Sequence, residues 1–274
     1  MASEITGAAG NGLALEDAGA GTPVVLLHGL TASRRYVVMG SRSLERSGHR
    51  VVAYDARGHG DSDPAPSPGA YSYPDLAADL GAVLDALGLG RAVLAGASMG
   101  AHTAVRCALQ APERVAGLVL ITPAFDPGAP EDAASLARWD ALADGLARGG
   151  VEGFVRAYGE PAVPPAWRET VLKVMRQRLA RHRHPGAVAD ALRAVPRSRP
   201  FESIAQLAAI SVPAAVVASR DEADPGHPHA VGEAWSRAIP GARLLSELPG
   251  RSPLAWQGGQ LSRVIADLAD EART

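Results

Sequence analysis

The stretch RAVLAGASMGAHTA, residues 91–104, decides the fold. An apolar run, RAVLAGA (91–97), leads straight into Ser98, and a helical pattern over 99–111 starts directly behind it. A run so continuously apolar fits a strand buried on both faces. The spacing Gly96-x-Ser98-x-Gly100 sets a glycine on each side of the serine, so that strand and helix can approach closely. Ser98 then sits on a tight turn with its hydroxyl exposed and a helix N-terminus behind it. The alternative is a serine that does no more than cap the helix.

Working outward, the same alternation recurs. PVVLLHG (23–29), RVVAYD (50–55), RVAGLVLITP (114–123), VPAAVVASRD (212–221) and GARLLSEL (241–248) read as strands, with a further strand near 12–18 at the sheet edge. Helical patterns cover about 32–47, 74–88 and 99–111, and a closing helix is expected over 253–271. Apolar strands separated by helices imply an α/β fold: a mostly parallel central sheet flanked by helices. Residues 126–199 break the rhythm, with helical patterns at 131–148, 151–158, 165–182 and 186–194 and no convincing strand. They are expected to form a helical lid inserted between sheet strands, over the C-terminal edge where ligands bind in open α/β folds. Residues 1–125 and 200–274 would then be the core.

Composition narrows the function. The 274 residues are 47% hydrophobic and 20% charged, ordinary for a globular chain, and the net charge of −2 gives no footprint for nucleic acid or an anionic membrane. Cys107 is the only cysteine, so no intramolecular disulfide forms. The N-terminus lacks a basic and apolar leader, and a cytoplasmic location is expected. The sequence leaves the oligomeric state open.

Two further motifs flank the serine turn: LLHGLTAS (26–33) and YDARGHGDSD (54–63). With GASMG (96–100), in this order and spacing, they resemble the α/β-hydrolase fold family. The resemblance covers nearly the whole chain. It implies Ser98 as the nucleophile and an oxyanion hole from the backbone N–H groups of Leu30 and Met99. It implies structural roles for Asp55 and Arg57, and a catalytic acid after the strand at 212–221. Asp221 fits that position, with Asp126 as a substitute; Glu222 and Asp224 read as solvated loop residues. The family's histidine should follow the last strand. There the sequence reads LPGRSPLAW (248–256), with Gly250-Arg251-Ser252-Pro253 where the family carries Gly-His-Ser-Pro. A guanidinium stays protonated and cannot take the serine proton.

Other histidines are candidates for the missing base. His102 lies four residues after Ser98, on the same helix face; it is either a pocket residue or a packed core histidine. His227 and His229 follow Asp221 and could reach the cleft rim. His28 and His59 belong to the motif loops. Arg251 has three readings: a fork for a substrate carboxylate, phosphate or enolate, an ion-pair partner of Asp221, or an outward-facing side chain. The functional expectation is an enzyme acting on a small carbonyl or ester-like substrate through Ser98, with an atypical or incomplete triad. The alternative is a catalytically silent binding or structural protein on the same fold. No cofactor motif is present, and the His-x-His spacings at 182–184 and 227–229 lack a third clustered ligand for a metal. The expected partner is a small molecule.

Overall fold

In the computed structural model, which describes residues 2–130, 132–221, 223–251 and 256–273, the apolar runs pair into one eight-stranded sheet. The strands are β1 (Ala2–Thr6), β2 (Gly12–Ala18), β3 (Thr22–Leu27), β4 (His49–Tyr54), β5 (Ala92–Ala97), β6 (Val115–Ile121), β7 (Ala214–Val217) and β8 (Arg243–Leu245). Their spatial order is β1-β2-β4-β3-β5-β6-β7-β8. β1 with β2 and β2 with β4 are antiparallel; the other pairings are parallel.

Strand side chains alternate between two cores, as the two-residue period requires. Val25, Leu27, Leu94, Leu118, Leu120 and Val216 face helices α2 (Tyr73–Ala86), α3 (Met99–Gln110) and α7 (His229–Ala238). Val24, Leu26, Val93, Val119, Ile121 and Val217 face α1 (Ser43–Arg46) and α8 (Gly258–Glu271). Burial on both faces explains why these strands read as continuous apolar runs.

Three expectations are corrected. The helix expected over 32–47 is a 3-10 turn at Arg34–Tyr36 followed by the short α1. Positive φ at Thr31, Met39 and Gly40 bends the chain, while Val37 and Val38 bury in the sheet's second core without a helix. The strand at 12–18 is not the edge, because β1 pairs with it from outside; Ala-Ser-Glu-Ile-Thr carries too little apolar pattern to announce a strand. The closing helix starts at Gly258, and residues 253–255 of its expected start lie outside the described residues.

Between β6 and β7 the described residues form no strand. They form α4 (Ala133–Tyr158), α5 (Pro165–Leu179) and α6 (Pro185–Ala194). α4 is broken at Gly150, where φ is 56°, which matches the two helical patterns read on either side. Leu142, Leu146, Phe154, Leu179, Val188 and Leu192 form the core of these helices, with Leu30 of the β3–α1 loop packed against it. No helix among the described residues is long and apolar enough to cross a membrane.

The 54–63 loop is fixed by buried ion pairs. Arg57 and Asp79 are each 1% exposed and bond through two nitrogens, Nε to Oδ2 at 2.6 Å and Nη2 to Oδ1 at 2.8 Å. Asp55, fully buried, pairs with Arg34 and accepts the amides of Arg34 and Asp61. Removing one partner strands the other charge inside the protein. We expect Asp79→Ala to lower the unfolding free energy by about 3–5 kcal/mol in urea denaturation; a loss below about 1 kcal/mol would contradict a structural role for this pair.

Candidate active site

β5 and α3 meet at Ser98 with no intervening residue. Ser98 has φ 50° and ψ −113°, a region that residues with a Cβ rarely occupy. Both flanking glycines are needed: a Cβ on Gly96 would collide with the Gly100 backbone, and one on Gly100 with the Leu27 carbonyl. The serine's N–H donates to the Ile121 carbonyl at 2.9 Å, anchoring the turn to β6. Gly29 lies against it, where an added Cβ would sit 3.4 Å from the Ser98 Cβ. The β3 loop and the first turn of α3 therefore meet at the serine. Among the described residues, neither the Leu30 nor the Met99 amide donates a hydrogen bond within the protein. Met99 opens α3, where the first N–H groups have no acceptor inside the helix.

A histidine does reach this serine. His227 Nε2 lies 2.8 Å from Ser98 Oγ, and His227 Nδ1 lies 2.8 Å from both Asp224 oxygens. The loop that delivers them runs from β7 to α7. Two successive turns shape it, Asp224 N–H to Asp221 O at 3.0 Å and His227 N–H to Asp224 O at 3.2 Å. These turns bring residues three apart together, and Pro228 then starts α7. Burial alone would raise the Asp224 carboxyl, but the hydrogen bond and charge of His227, with the charge of Arg178, outweigh it and hold the carboxyl below its usual range. Asp224 thus stays ionised beside the imidazole, the condition for orienting it.

The carboxylate on His227 Nδ1 is Asp224 rather than the expected Asp221. Asp221 Oδ1 accepts the Ala223 amide at 2.8 Å and its own amide donates to Ser219 Oγ, so it shapes the loop one turn before Asp224. Asp126 is exposed and accepts the Gly128 amide at 2.9 Å. Arg251 is exposed, its amide donating to the Leu248 carbonyl at 3.1 Å; its neighbours Ser252 and Pro253 lie outside the described residues. His229 points elsewhere, with Nε2 2.8 Å from Ser246 Oγ. A cavity of about 350 Å³ opens beside Phe125, Ile204, Val231 and Trp235, but Ser98 is not part of its wall.

With the geometry in hand, known proteins place the chain. A family model described as the alpha/beta hydrolase fold matches residues 22–161. The chain is 33% identical over 204 residues to the RutD protein of Variovorax paradoxus (strain S110), named for carbamate hydrolysis; the match spans 74% of this chain and 75% of that protein. A shorter match, 41% identical over 99 residues, joins 36% of the chain to 31% of the sn-1-specific diacylglycerol lipase ABHD11 of Mus musculus. Among solved structures, a thermophilic esterase from Thermogutta terrifontis, with malate bound, aligns with a TM-score of 0.80 at 28% identity over 100% of both chains. The chain belongs to the α/β-hydrolase fold family.

The remaining candidate histidines brace the site. His102 is 5% exposed; Tyr73 Oη lies 2.7 Å from its Nδ1, and its Nε2 accepts the amides of Ala124 and Phe125. Both ring nitrogens are occupied, so His102 ties α3 to the β6 exit and is not a pocket residue. His28 Nε2 accepts the Ala56 amide at 2.9 Å, and its Nδ1 bonds the Gly29 carbonyl at 2.8 Å. The His28, His59 and His182 rings pack in series, and His182 joins the inserted helices to Gly60 and Thr31. Burial drives all of these below the usual 6.5: His28 to about 4, His102 to about 3, and His59 and His182 in the same direction. The unfolded chain therefore binds more protons than the folded one below about pH 6.5, so stability is lost as the pH falls. We expect the unfolding free energy to be level above about pH 7.5 and to drop by more than about 3 kcal/mol between pH 7 and pH 5. Equal or greater stability at pH 5 would contradict neutral buried imidazoles.

Proposed function

We propose that the protein is a serine hydrolase that cleaves a small ester or ester-like carbonyl compound, with Ser98 as nucleophile, His227 as general base and acid, and Asp224 as the orienting carboxylate. The observation that carries this reading is the 2.8 Å contact between His227 Nε2 and Ser98 Oγ, with Asp224 on the far ring nitrogen. It supplies the proton acceptor that Arg251 cannot be.

The chemistry follows from the positions. His227 takes the Ser98 proton as Oγ attacks the substrate carbonyl carbon. The Leu30 and Met99 amides, with the N-terminus of α3 behind them, stabilise the oxyanion. His227 then protonates the departing alkoxide, leaving an acyl-serine. A water molecule gives its proton to His227 and attacks the acyl carbon; the C–Oγ bond then breaks and His227 returns the proton to Oγ, which releases the acid and restores Ser98. The helices of 126–199 act as a lid: their core packs on Leu30, so the oxyanion loop and the lid share one contact surface. The relatives named for carbamate and ester hydrolysis support acyl transfer as the reaction class.

We expect His227→Ala to lower kcat for 4-nitrophenyl butyrate by about 10⁴- to 10⁶-fold, Ser98→Ala by a similar factor, and Asp224→Ala by about 10⁴-fold. Arg251→Ala should stay within about threefold of the parent, since Arg251 is exposed and the side-chain contact to Ser98 Oγ comes from His227. Steady-state hydrolysis checks both. A His227→Ala variant that keeps a tenth of the parent activity would overturn the assignment.

A further inference from the structure

Several arginines of the inserted segment are held in ion pairs. Arg148 and Arg193 pair with Asp144, Arg168 with Glu160, Arg176 with Glu152 and Arg197 with Asp140. Arg178, in the last turn of α5, turns to the catalytic side instead. Its Nη2 donates to the Leu30 carbonyl and to Thr31 Oγ1, each at 3.1 Å, and its guanidinium lies over the Tyr36 ring, 5.7 Å from the centroid. Its Nε is enclosed without a partner, and Nη1 makes no hydrogen bond with the described residues. Among the described residues no carboxylate pairs with it within 4.0 Å. Burial pushes its pKa down, against smaller opposing contributions from Tyr36 and from the charge of Asp224, which is already bound to His227.

This cation touches the residue whose amide is assigned to the oxyanion hole. Leu30 and Thr31 directly follow Gly29, which packs against Ser98, so the guanidinium is bonded to the loop that borders the candidate site. A partly desolvated charge held only by neutral acceptors is costly unless an anion completes it. Building on the hydrolase reading above, we infer that Arg178 is a specificity-determining residue that binds a carboxylate on the substrate, so that the substrate class is esters or lactones carrying a free carboxylate near the scissile carbonyl. The carboxylate bonds Nη1 and takes a second bond from Thr31 Oγ1, while Nη2 stays on Leu30. Cleavage of such a half-ester releases a short dicarboxylate.

Two esters of equal length separate this from a structural tether: mono(4-nitrophenyl) succinate and 4-nitrophenyl butyrate, which differ by a terminal carboxylate in place of a methyl group. The parent protein should favour the succinate ester in kcat/KM by about tenfold or more, and Arg178→Met should lower that ratio by roughly 10- to 100-fold, mainly through KM. Arg178→Lys, which keeps the charge without the fork, should fall between. A parent ratio near one, or a ratio unchanged in Arg178→Met while both rates fall together, would overturn the inference and leave Arg178 as a tether of the oxyanion loop. Calorimetric titration of succinate into Ser98→Ala, with Arg178 intact, reads the site without turnover or a change at 178. Saturable binding is expected, and absence of binding overturns the inference. Succinate binding with neither ester hydrolysed would support the Arg178 site and overturn the hydrolase reading instead.

Discussion

Ser98 is held at φ 50°, a conformation costing about 1–3 kcal/mol for a residue with a side chain, and the surrounding backbone is built to hold it there. Gly96 and Gly100 carry no Cβ because none would fit against the next turn and β3. The close approach brings Gly29 against the serine and leaves the first amide of α3 uncommitted. The strain is therefore coupled to three neighbours at once: the strand, the helix and the loop after β3. In the proposed mechanism, nucleophile exposure and oxyanion binding would both rest on that single tight junction.

The second constraint is the loop between β7 and α7. Family geometry supplies the imidazole from the loop after the last strand, where this chain carries an exposed Arg251. Here the proposed acid and base, Asp224 and His227, sit on one short segment, joined by turns and followed by Pro228. The imidazole enters the space above Ser98 from the β7 side. Placing acid and base three residues apart makes their geometry local, set by turn hydrogen bonds rather than by packing between distant loops.

The sheet was largely legible because strands buried on both faces read as unbroken apolar runs, and Ser98 was legible because the glycines beside it have a steric reason. β1 was not, since Ala2–Thr6 pairs through backbone bonds that need no apolar pattern. Residues 32–47 misled because Val37 and Val38 bury in a turn-rich segment that mimics a helix face. The Asp-x-x-His spacing at 224–227 was visible in the sequence. Its meaning was not, because the partner serine lies 129 residues away and only the tertiary fold shows which loop overhangs it. Asp221 and Asp224 are likewise alike in composition; their different partners come from turn geometry.

The claim on which the account turns is that His227 activates Ser98. Intact-mass analysis after treatment with a fluorophosphonate probe tests it most directly, because such a probe labels a serine whose oxygen is activated by a base. We expect one adduct on the parent protein, none on Ser98→Ala, and labelling of His227→Asn slowed by several orders of magnitude while the protein stays folded. Labelling of His227→Asn at the parent rate would contradict the account and send the search for the base to another residue.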